Sequence, residues 1–405
     1  MPFALIVALR FLREGRMQTV LILGGVAIGV AVVVFITGLV QGLQASLIER
    51  TLGSQAHIVI RPPEERTQPV LDRAASDVAA RVEARPQRLR SIDQWESLLP
   101  AVVSAPGVVA ASPMATGAAF AQRGTASKAI ALRGVDPDRY RRIVRVHEDM
   151  VAGEFRLSGT DGVVGVELAR DLGVVVGDRI RVGTPEGREE VITIAGIFDL
   201  GNKDLNQRWV FVTLKLAQTL LDLPGGVSTI ELTVRDIFGA EPVAARIERE
   251  TGLLAESWMK TNAQLLVAMR NQDISTTTVR VFVTLVVALG IASVLVVWVV
   301  QKQKEIGILR AMGASRLRIM AVFLLQGSML SLGGSMAGTV VAVVLVRIFA
   351  RVFVNADGTP MFVPDVGWTL VLTTWAIALL TGILAASLPA RRAAQLDPVI
   401  AIRLG

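Results

Sequence analysis

Cysteine is absent from all 405 residues, and histidine occurs only twice, at His57 and His147. Without cysteine the chain carries no disulfide and no lipid-modified thiol, and a segment of roughly 230 residues can bury a core without such cross-links. The histidines stand alone, no His/Asp/Glu set has metal-ligand spacing, and both therefore read as structural. There is no Gly-x-x-x-x-Gly-Lys-Ser/Thr phosphate loop and no serine in a nucleophile elbow, which argues against ATP binding of that kind and against catalysis by this chain. Paired acids such as Glu189-Glu190 read as a solvated strand edge. Aromatic residues make up 5% of the chain and do not interleave with the basic ones, so the net charge of +7 marks no nucleic-acid surface.

Charge is also missing in long blocks. None falls between Arg16 and Glu49, Arg280 and Lys302, Arg318 and Arg347, or Asp365 and Arg391. Each window supplies the roughly 20 apolar residues that cross a bilayer, and core helices of soluble proteins rarely run so far without a charge. Four transmembrane helices are expected. With no ionisable group inside them, a proton- or ion-coupled carrier is disfavoured. The first run, about 28 residues from Met17, exceeds the apolar core of a cleaved signal peptide and reads as an uncleaved anchor.

Lys and Arg set the expected orientation. The surplus of positive charge gathers at Arg10, Arg13 and Arg16, at Lys302, Lys304, Arg310, Arg316 and Arg318, and at Arg391, Arg392 and Arg403, while the rest of the chain is close to neutral. Both termini and the second loop are thus placed in the cytoplasm and the large segment outside. The expected organisation is an amphipathic helix 1–16, spans at 17–44, 278–301, 319–346 and 366–390, an outer domain 45–277, a cytoplasmic segment 302–318, an outer loop 347–365 and a tail 391–405. The fold class is a membrane protein with four transmembrane α-helices plus a large α+β outer domain. That domain alternates helix and strand patterns: a strand at 57–61, a helix at 93–104, strands at 108–121 and 129–133, and a strand-to-helix unit at 163–172. Short strands follow at 179–183, 190–197, 209–213 and 229–235, with helices at 214–223 and 240–251. The pattern suggests a β-rich subdomain at about 161–223 inserted into the rest. The polar stretch 64–92 fits a helix or an arm.

Small residues recur at helix-packing spacing, Gly25 with Gly29 and Gly334 with Gly338, and favour a tightly packed bundle. Between the second and third spans lies Lys304-Glu305-Ile306-Gly307-Ile308-Leu309-Arg310-Ala311-Met312-Gly313-Ala314-Ser315, a basic amphipathic elbow too short to be a catalytic domain. It reads as a lever on which a partner pushes. Ile306, Ile308, Leu309, Met312 and Leu317 can face an apolar groove while Lys304, Arg310 and Arg316 reach acidic residues.

These residues resemble the signature of MacB/FtsX/LolC-type permeases of ATP-binding-cassette (ABC) systems, the type VII class. The tail from Pro389 through Asp397-Pro398 to Arg403 is similar to that family's ending, and Ala8-Leu9-Arg10-Phe11-Leu12-Arg13 to its beginning. Within it the chain looks most like the lipoprotein-releasing LolC/LolE branch, on Gly42-Leu43-Gln44, the run Leu52 to Ile60, Trp258 with Asn262, and Gln326-Gly327. The resemblance departs at the turn Thr184–Arg188, where LolC-type permeases carry an extended hairpin, and at Gly290, where an Asn is usual.

The resemblance implies a porter-like domain with an inserted sabre-like β subdomain, and a non-catalytic permease of the bacterial inner membrane that works by mechanotransmission. ATP and Mg would be bound by a separate LolD/MacB-like ATPase dimer, with no cofactor in this chain. That dimer would push on Lys304, Glu305, Ile306, Gly307, Leu309, Arg310, Met312, Gly313 and Ala314. Further partners implied are a second permease copy or paralogue and membrane lipids. The cargo would be a lipoprotein passed to a periplasmic carrier. The alternatives are tripartite efflux of a drug, peptide or glycolipid with an adaptor and outer-membrane duct, and FtsX-like regulation of a cell-wall hydrolase. Leu43, Leu47, Ile48, Leu265, Leu266 and Met269 are the candidate substrate-facing positions.

Overall fold

The computed structural model describes residues 2–53, 55–63, 89–354 and 366–396. The polar stretch up to residue 88, the loop from 355 and the tail from Asp397 lie outside them. In chain order the elements are α1 (Pro2–Glu14), α2 (Arg16–Gly53), β1 (Ile58–Arg61), α3 (Trp95–Ser104), β2 (Val108–Arg123), β3 (Ala126–Val135) and α4 (Pro137–Tyr140). Then come β4 (Met150–Gly153), β5 (Asp161–Gly165), α5 (Val166–Leu172), β6 (Arg179–Gly183), β7 (Glu189–Phe198), α6 (Lys203–Arg208), β8 (Trp209–Thr213) and α7 (Leu214–Leu220). The last are β9 (Thr229–Val234), α8 (Ala240–Thr251), β10 (Leu254–Ser257), α9 (Trp258–Thr261), α10 (Ala263–Gln301), α11 (Gln303–Ala311), α12 (Arg316–Val352) and α13 (Trp368–Gln395). They form two compact units, a helical one of residues 1–47 and 267–405 and a mixed α/β one of residues 48–266.

In the helical unit, α2, α10, α12 and α13 are each long and apolar enough to cross a membrane. The charge-free windows explain why: in hydrocarbon every backbone amide must pair within its own segment, and a helix does that. Small residues let the helices approach. A Cβ on Gly338 would meet the Ala27 carbonyl at 2.4 Å, and one on Gly334 would meet Val26 at 2.6 Å, so α12 lies directly on α2. Gly382 faces Ser331 and Gly327 faces Ala386, joining α12 to α13, and Gly29 faces Val287 of α10. Gly25 differs from its expected packing role, since a Cβ there would meet nothing within 4 Å. The N-terminal helix buries Ala4, Ala8 and Phe11 against Val322 of α12 and leaves Ile6 and Leu9 exposed. The helix thus docks through Ala4, Ala8 and Phe11, at the i, i+4, i+7 spacing of one face.

The α/β unit is built on a ten-stranded sheet in the order β10-β1-β9-β2-β3-β8-β5-β7-β4, with β6 pairing both β2 and β7. Strand β2 belongs to two sets. Its first half pairs with β9, beside which Ile58, Ile60, Leu232 and Trp258 pack with α3 and α8. Its second half pairs with β3 and, at Phe120–Gln122, with β6, so β2, β3, β8, β5, β7 and β6 close on themselves. This ring takes in β2 and β3 as well as the 161–223 stretch. One face of its strands packs Leu132, Val164, Val212 and Ile194 with α5 and α7. On the other face Phe211 collects Tyr140, Phe155, Phe198 and Trp209, with ring centroids 5.4 to 5.9 Å away.

Candidate coupling site

The elbow folds as a helix with a defined stop. Gly313 has φ +95°, a left-handed conformation that only glycine adopts without strain. The Ala314 amide donates to the Leu309 carbonyl and the Gly313 amide to Arg310, both at 3.0 Å. This crossed pair of bonds is the Schellman ending, which satisfies carbonyls that a helix terminus leaves open. Two residues on, the Ser315 hydroxyl accepts the Arg318 amide and caps α12. The sequence Met-Gly-Ala-Ser therefore encodes a sharp stop and an immediate restart.

The faces of α11 are assigned differently from the expectation. Ile306, only 1% exposed, is packed among Val299, Ile319, Phe323, Ala390 and Ala393, and Leu309 packs against the same cluster and against that of α1. These two side chains belong to the bundle's own core and cannot also fill a partner's groove. Arg310 donates to the Leu396 carbonyl and so ties the elbow to the end of α13 instead of reaching outward. Gly307 is buried, whereas Lys304 and Glu305 are exposed. What remains open is Ile308 at 44%, Met312 at 81% and Leu317 at 72%, with Arg316 and Arg318 beside them. The exposed apolar side chains thus sit on an elbow whose Ile306 is rooted in the core shared by α10, α12 and α13.

A charged clamp holds the other end of the elbow. Lys302 Nζ donates to Glu14 at 2.7 Å and to Glu305 at 2.5 Å, while Arg10 Nε donates to Glu14 at 2.9 Å. The Lys302 ammonium also stands 5.5 Å from the centre of the Phe11 ring. The hydrogen bonds from Lys302 and Arg10 hold the Glu14 carboxyl below its usual range. For Lys302, burial opposes the charge, and the bonds from Glu14 and Glu305 outweigh it and raise its pKa. At Gly15 the chain passes directly against the Trp298 ring, where a Cβ would sit 2.4 Å from a ring carbon. Sequence reasoning missed this clamp. Its one signal was Glu14, the single acid in a basic N-terminal segment.

Leu43, Ile48, Leu265 and Met269 are half-buried and Leu47 is 37% exposed. Leu266 departs from a substrate-facing role, because it packs on the core cluster that contains Trp258. His57 Nδ1 lies 3.1 Å from both the amide and the carbonyl of Val234, and burial lowers its pKa against the opposing bond to Val234. No group of three His, Asp or Glu that could hold a metal is present among the described residues. Also unforeseen is a buried ion pair in the α/β unit: Arg133 Nη2 donates to Glu231 at 2.7 Å and to Tyr140 at 3.1 Å, with its guanidinium 3.9 Å from the Trp209 ring centre.

Residues 19–250 match the MacB-like periplasmic core domain family, and residues 278–398 match the FtsX-like permease C-terminal family. The chain is 26% identical to the lipoprotein-releasing system transmembrane protein LolC of Xylella fastidiosa strain Temecula1, over 99% of both chains. It is 23% identical to the LolE protein of Haemophilus influenzae, over 92% of this chain and 91% of that one. Against the macrolide export ATP-binding/permease protein MacB of Shewanella oneidensis it is 24% identical, over 98% of this chain and 60% of that protein. The crystal structure of the periplasmic region of MacB from Actinobacillus actinomycetemcomitans aligns with a TM-score of 0.34 at 10% identity, covering 54% of this chain and 95% of that one. With a core domain and a permease domain joined in one chain of four apolar helices, this protein belongs to the MacB-like and FtsX-like permease family, the type VII ABC transporter permeases.

Proposed function

We propose that this chain is the membrane subunit of a mechanotransmission complex that extracts lipoproteins from the inner membrane for transfer toward the outer membrane. The observation that carries the mechanical part is the elbow, an exposed knob of Ile308, Met312 and Leu317 seated on the buried root of Ile306. A separate ATPase dimer binds the knob in the cytoplasm, where both termini also lie. Its closure on ATP and Mg presses α11 against α12 and α13, and the large domain in the periplasm moves with the spans. No step of the ATP chemistry belongs to this chain. Its residues receive a force and hand it on. Leu43, Leu47, Ile48, Leu265 and Met269 are the apolar positions proposed to meet the cargo. Support for a lipoprotein cargo comes from the likeness to lipoprotein-releasing LolC and LolE proteins over more than nine-tenths of both chains.

One observation favours a second reading. The β6–β7 hairpin turns within Thr184–Arg188, closed by the Thr184 amide bonding to the Arg188 carbonyl at 2.9 Å, and leaves no long arm to grip a carrier. A MacB-like export role with an adaptor and outer-membrane duct fits that feature, as does a heterodimer whose paralogue grips the carrier. Crosslinking in the native membrane, followed by mass spectrometry of proteins co-purifying with the tagged chain, separates these. Lipoproteins with an ATPase and a second permease support release, an adaptor and duct without lipoproteins support export, and absence of any ATPase refutes both. Replacing Met312 and Leu317 by Asp should leave the fold intact, since both are exposed, and should remove the ATPase from the preparation. Retention of a fully stimulated ATPase would refute the role of the knob.

A further inference from the structure

A small open groove between α2, α10 and α13 is lined mainly by apolar residues such as Val33, Val287, Ile377 and Ala378, with Thr284, Thr374 and Thr381 among them and Arg280 at its head, and has a volume of about 40 Å³. Arg280 is the cation that ends the charge-free window of α10. Its Nη2 donates to the Thr37 hydroxyl at 3.1 Å, and its Nε is shielded from solvent without an acceptor. Among the described residues no acid pairs with it.

The level of this guanidinium follows from helix geometry. From Arg16 to Thr37 on α2, and from Gln301 to Arg280 on α10, the rise at about 1.5 Å per residue is about 32 Å. That matches the hydrocarbon thickness of about 30 Å, so Arg280 stands at the headgroup level of the leaflet opposite the elbow. The groove descends from it for about 10 Å, from Arg280 to Val287. We infer that this is a phospholipid site, with the lipid phosphate on Arg280 and one acyl chain lying along the groove.

The chemistry selects this occupant. A guanidinium presents fixed, parallel N–H donors that match phosphate oxygens, and such a charge-assisted pair gains strength away from bulk water. The Thr37 hydroxyl uses only one donor and the Nε has no acceptor, so the guanidinium keeps donors to offer an anion. The groove is far too narrow to enclose a lipid, but an extended chain needs only a furrow. A diacylglyceryl group without phosphate would fill the furrow and leave the guanidinium unpaired. The inference rests on the membrane-spanning reading of these helices and not on the identity of the cargo.

Native mass spectrometry of the full-length protein tests it, using phosphatidylglycerol, diacylglycerol and a synthetic diacylglyceryl lipopeptide with matched chains. Arg280→Ala should weaken phosphatidylglycerol binding about tenfold and leave diacylglycerol unchanged, while Arg280→Lys keeps most of the binding. Arg347→Ala, the same loss of charge on α12, should change neither. Ala378→Leu fills the furrow with the guanidinium intact and should weaken the phospholipid without altering the melting temperature, which keeps the proposal testable if Arg280→Ala unfolds. Equal losses for Arg280→Ala and Arg347→Ala, or binding of the lipopeptide that depends on Arg280 as strongly as the phospholipid does, would overturn the assignment.

Discussion

The two units of this molecule differ in how much bulk they bury. Glycines admit close neighbours in both, Gly29, Gly334, Gly338 and Gly382 between the helices and Gly134, Gly153 and Gly165 in the α/β unit. The largest fully buried side chains are concentrated in the α/β unit, with Trp258, Tyr140, Phe198 and Phe211 there against Phe323 among the described residues of the helical unit, and Phe211 stands amid four aromatic rings. The solvent accounts for the difference. Lipid tails are as apolar as leucine, so helices in a bilayer gain little from burying large groups and instead gain dispersion from close approach. Water rewards the burial of every apolar square ångström, and large side chains deliver the most. Charge is treated differently as well. Arg133 is taken inside the α/β unit and given Glu231, Tyr140 and the Trp209 face, whereas Arg280 stays at the rim of the apolar window.

The largest test of this contrast is Glu231→Ala. It leaves Arg133 buried without its carboxylate, and removing one partner of a buried pair costs about 3–5 kcal/mol. Burial opposes the charge on Arg133, and Tyr140 with Glu231 outweighs that and keeps its pKa raised. Chemical denaturation followed by Trp209 fluorescence should show an earlier transition, and replacing both Arg133 and Glu231 by leucine should recover most of it. A single variant no weaker than a surface substitution would break the comparison.

Next in size is Gly338→Leu. The new side chain has no room against the Ala27 carbonyl, and overpacking costs about 1–3 kcal/mol. Cysteine pairs introduced between α2 and α12 should crosslink less in this variant, whereas Gly25→Leu, which meets nothing within 4 Å, should crosslink as before. Equal effects at both glycines would show that close approach is not what joins these helices.

The smallest effect is one of pH. Burial lowers the pKa of His57, so the folded α/β unit binds a proton there less readily than the unfolded chain does. The stability this confers is present above the unfolded value of about 6.5 and is lost as the pH falls through the folded value. Thermal unfolding of the α/β unit should therefore shift to lower temperature as the pH is taken from 7 toward 5. His57→Gln should flatten that dependence, and an unchanged slope would remove His57 as its source.

Much of this architecture is local and so was readable in the chain. The apolar middles of the long helices follow from where charge stops and resumes, although α2 runs on to Gly53 and α10 begins at Ala263, and the elbow's end follows from Gly313 and Ser315. The strand-to-helix unit at 163–172 appears as β5 and α5, and the helix at 240–251 as α8 with the bounds expected for it. The short elements β4, α4, α6 and β10 were not foreseen, because they lack the β-branched and apolar runs that mark β1, β6, β8 and β9, which are equally short. Nor could the elbow's amphipathic pattern say which apolar residues face inward. Ile306 and Ile308 lie two apart on one short helix, and only the presence of Phe323 and Ala393 beside the first makes it core and the second surface.

What sequence alone determined is everything set by solvent and neighbouring residues: the four long apolar helices, the clustering of cations beside them, the stop at Gly313, and the absence of a phosphate loop. What only the tertiary structure decided depends on pairs far apart in the chain. Arg133 meets Glu231 across β2, β6 closes a ring by reaching back to β2, Glu14 clamps Lys302, and Arg280 finds Thr37 and an apolar groove. A charge, a hydroxyl or a glycine has the same local signature wherever it ends up. Its partner is chosen by packing, and packing is a property of the folded whole.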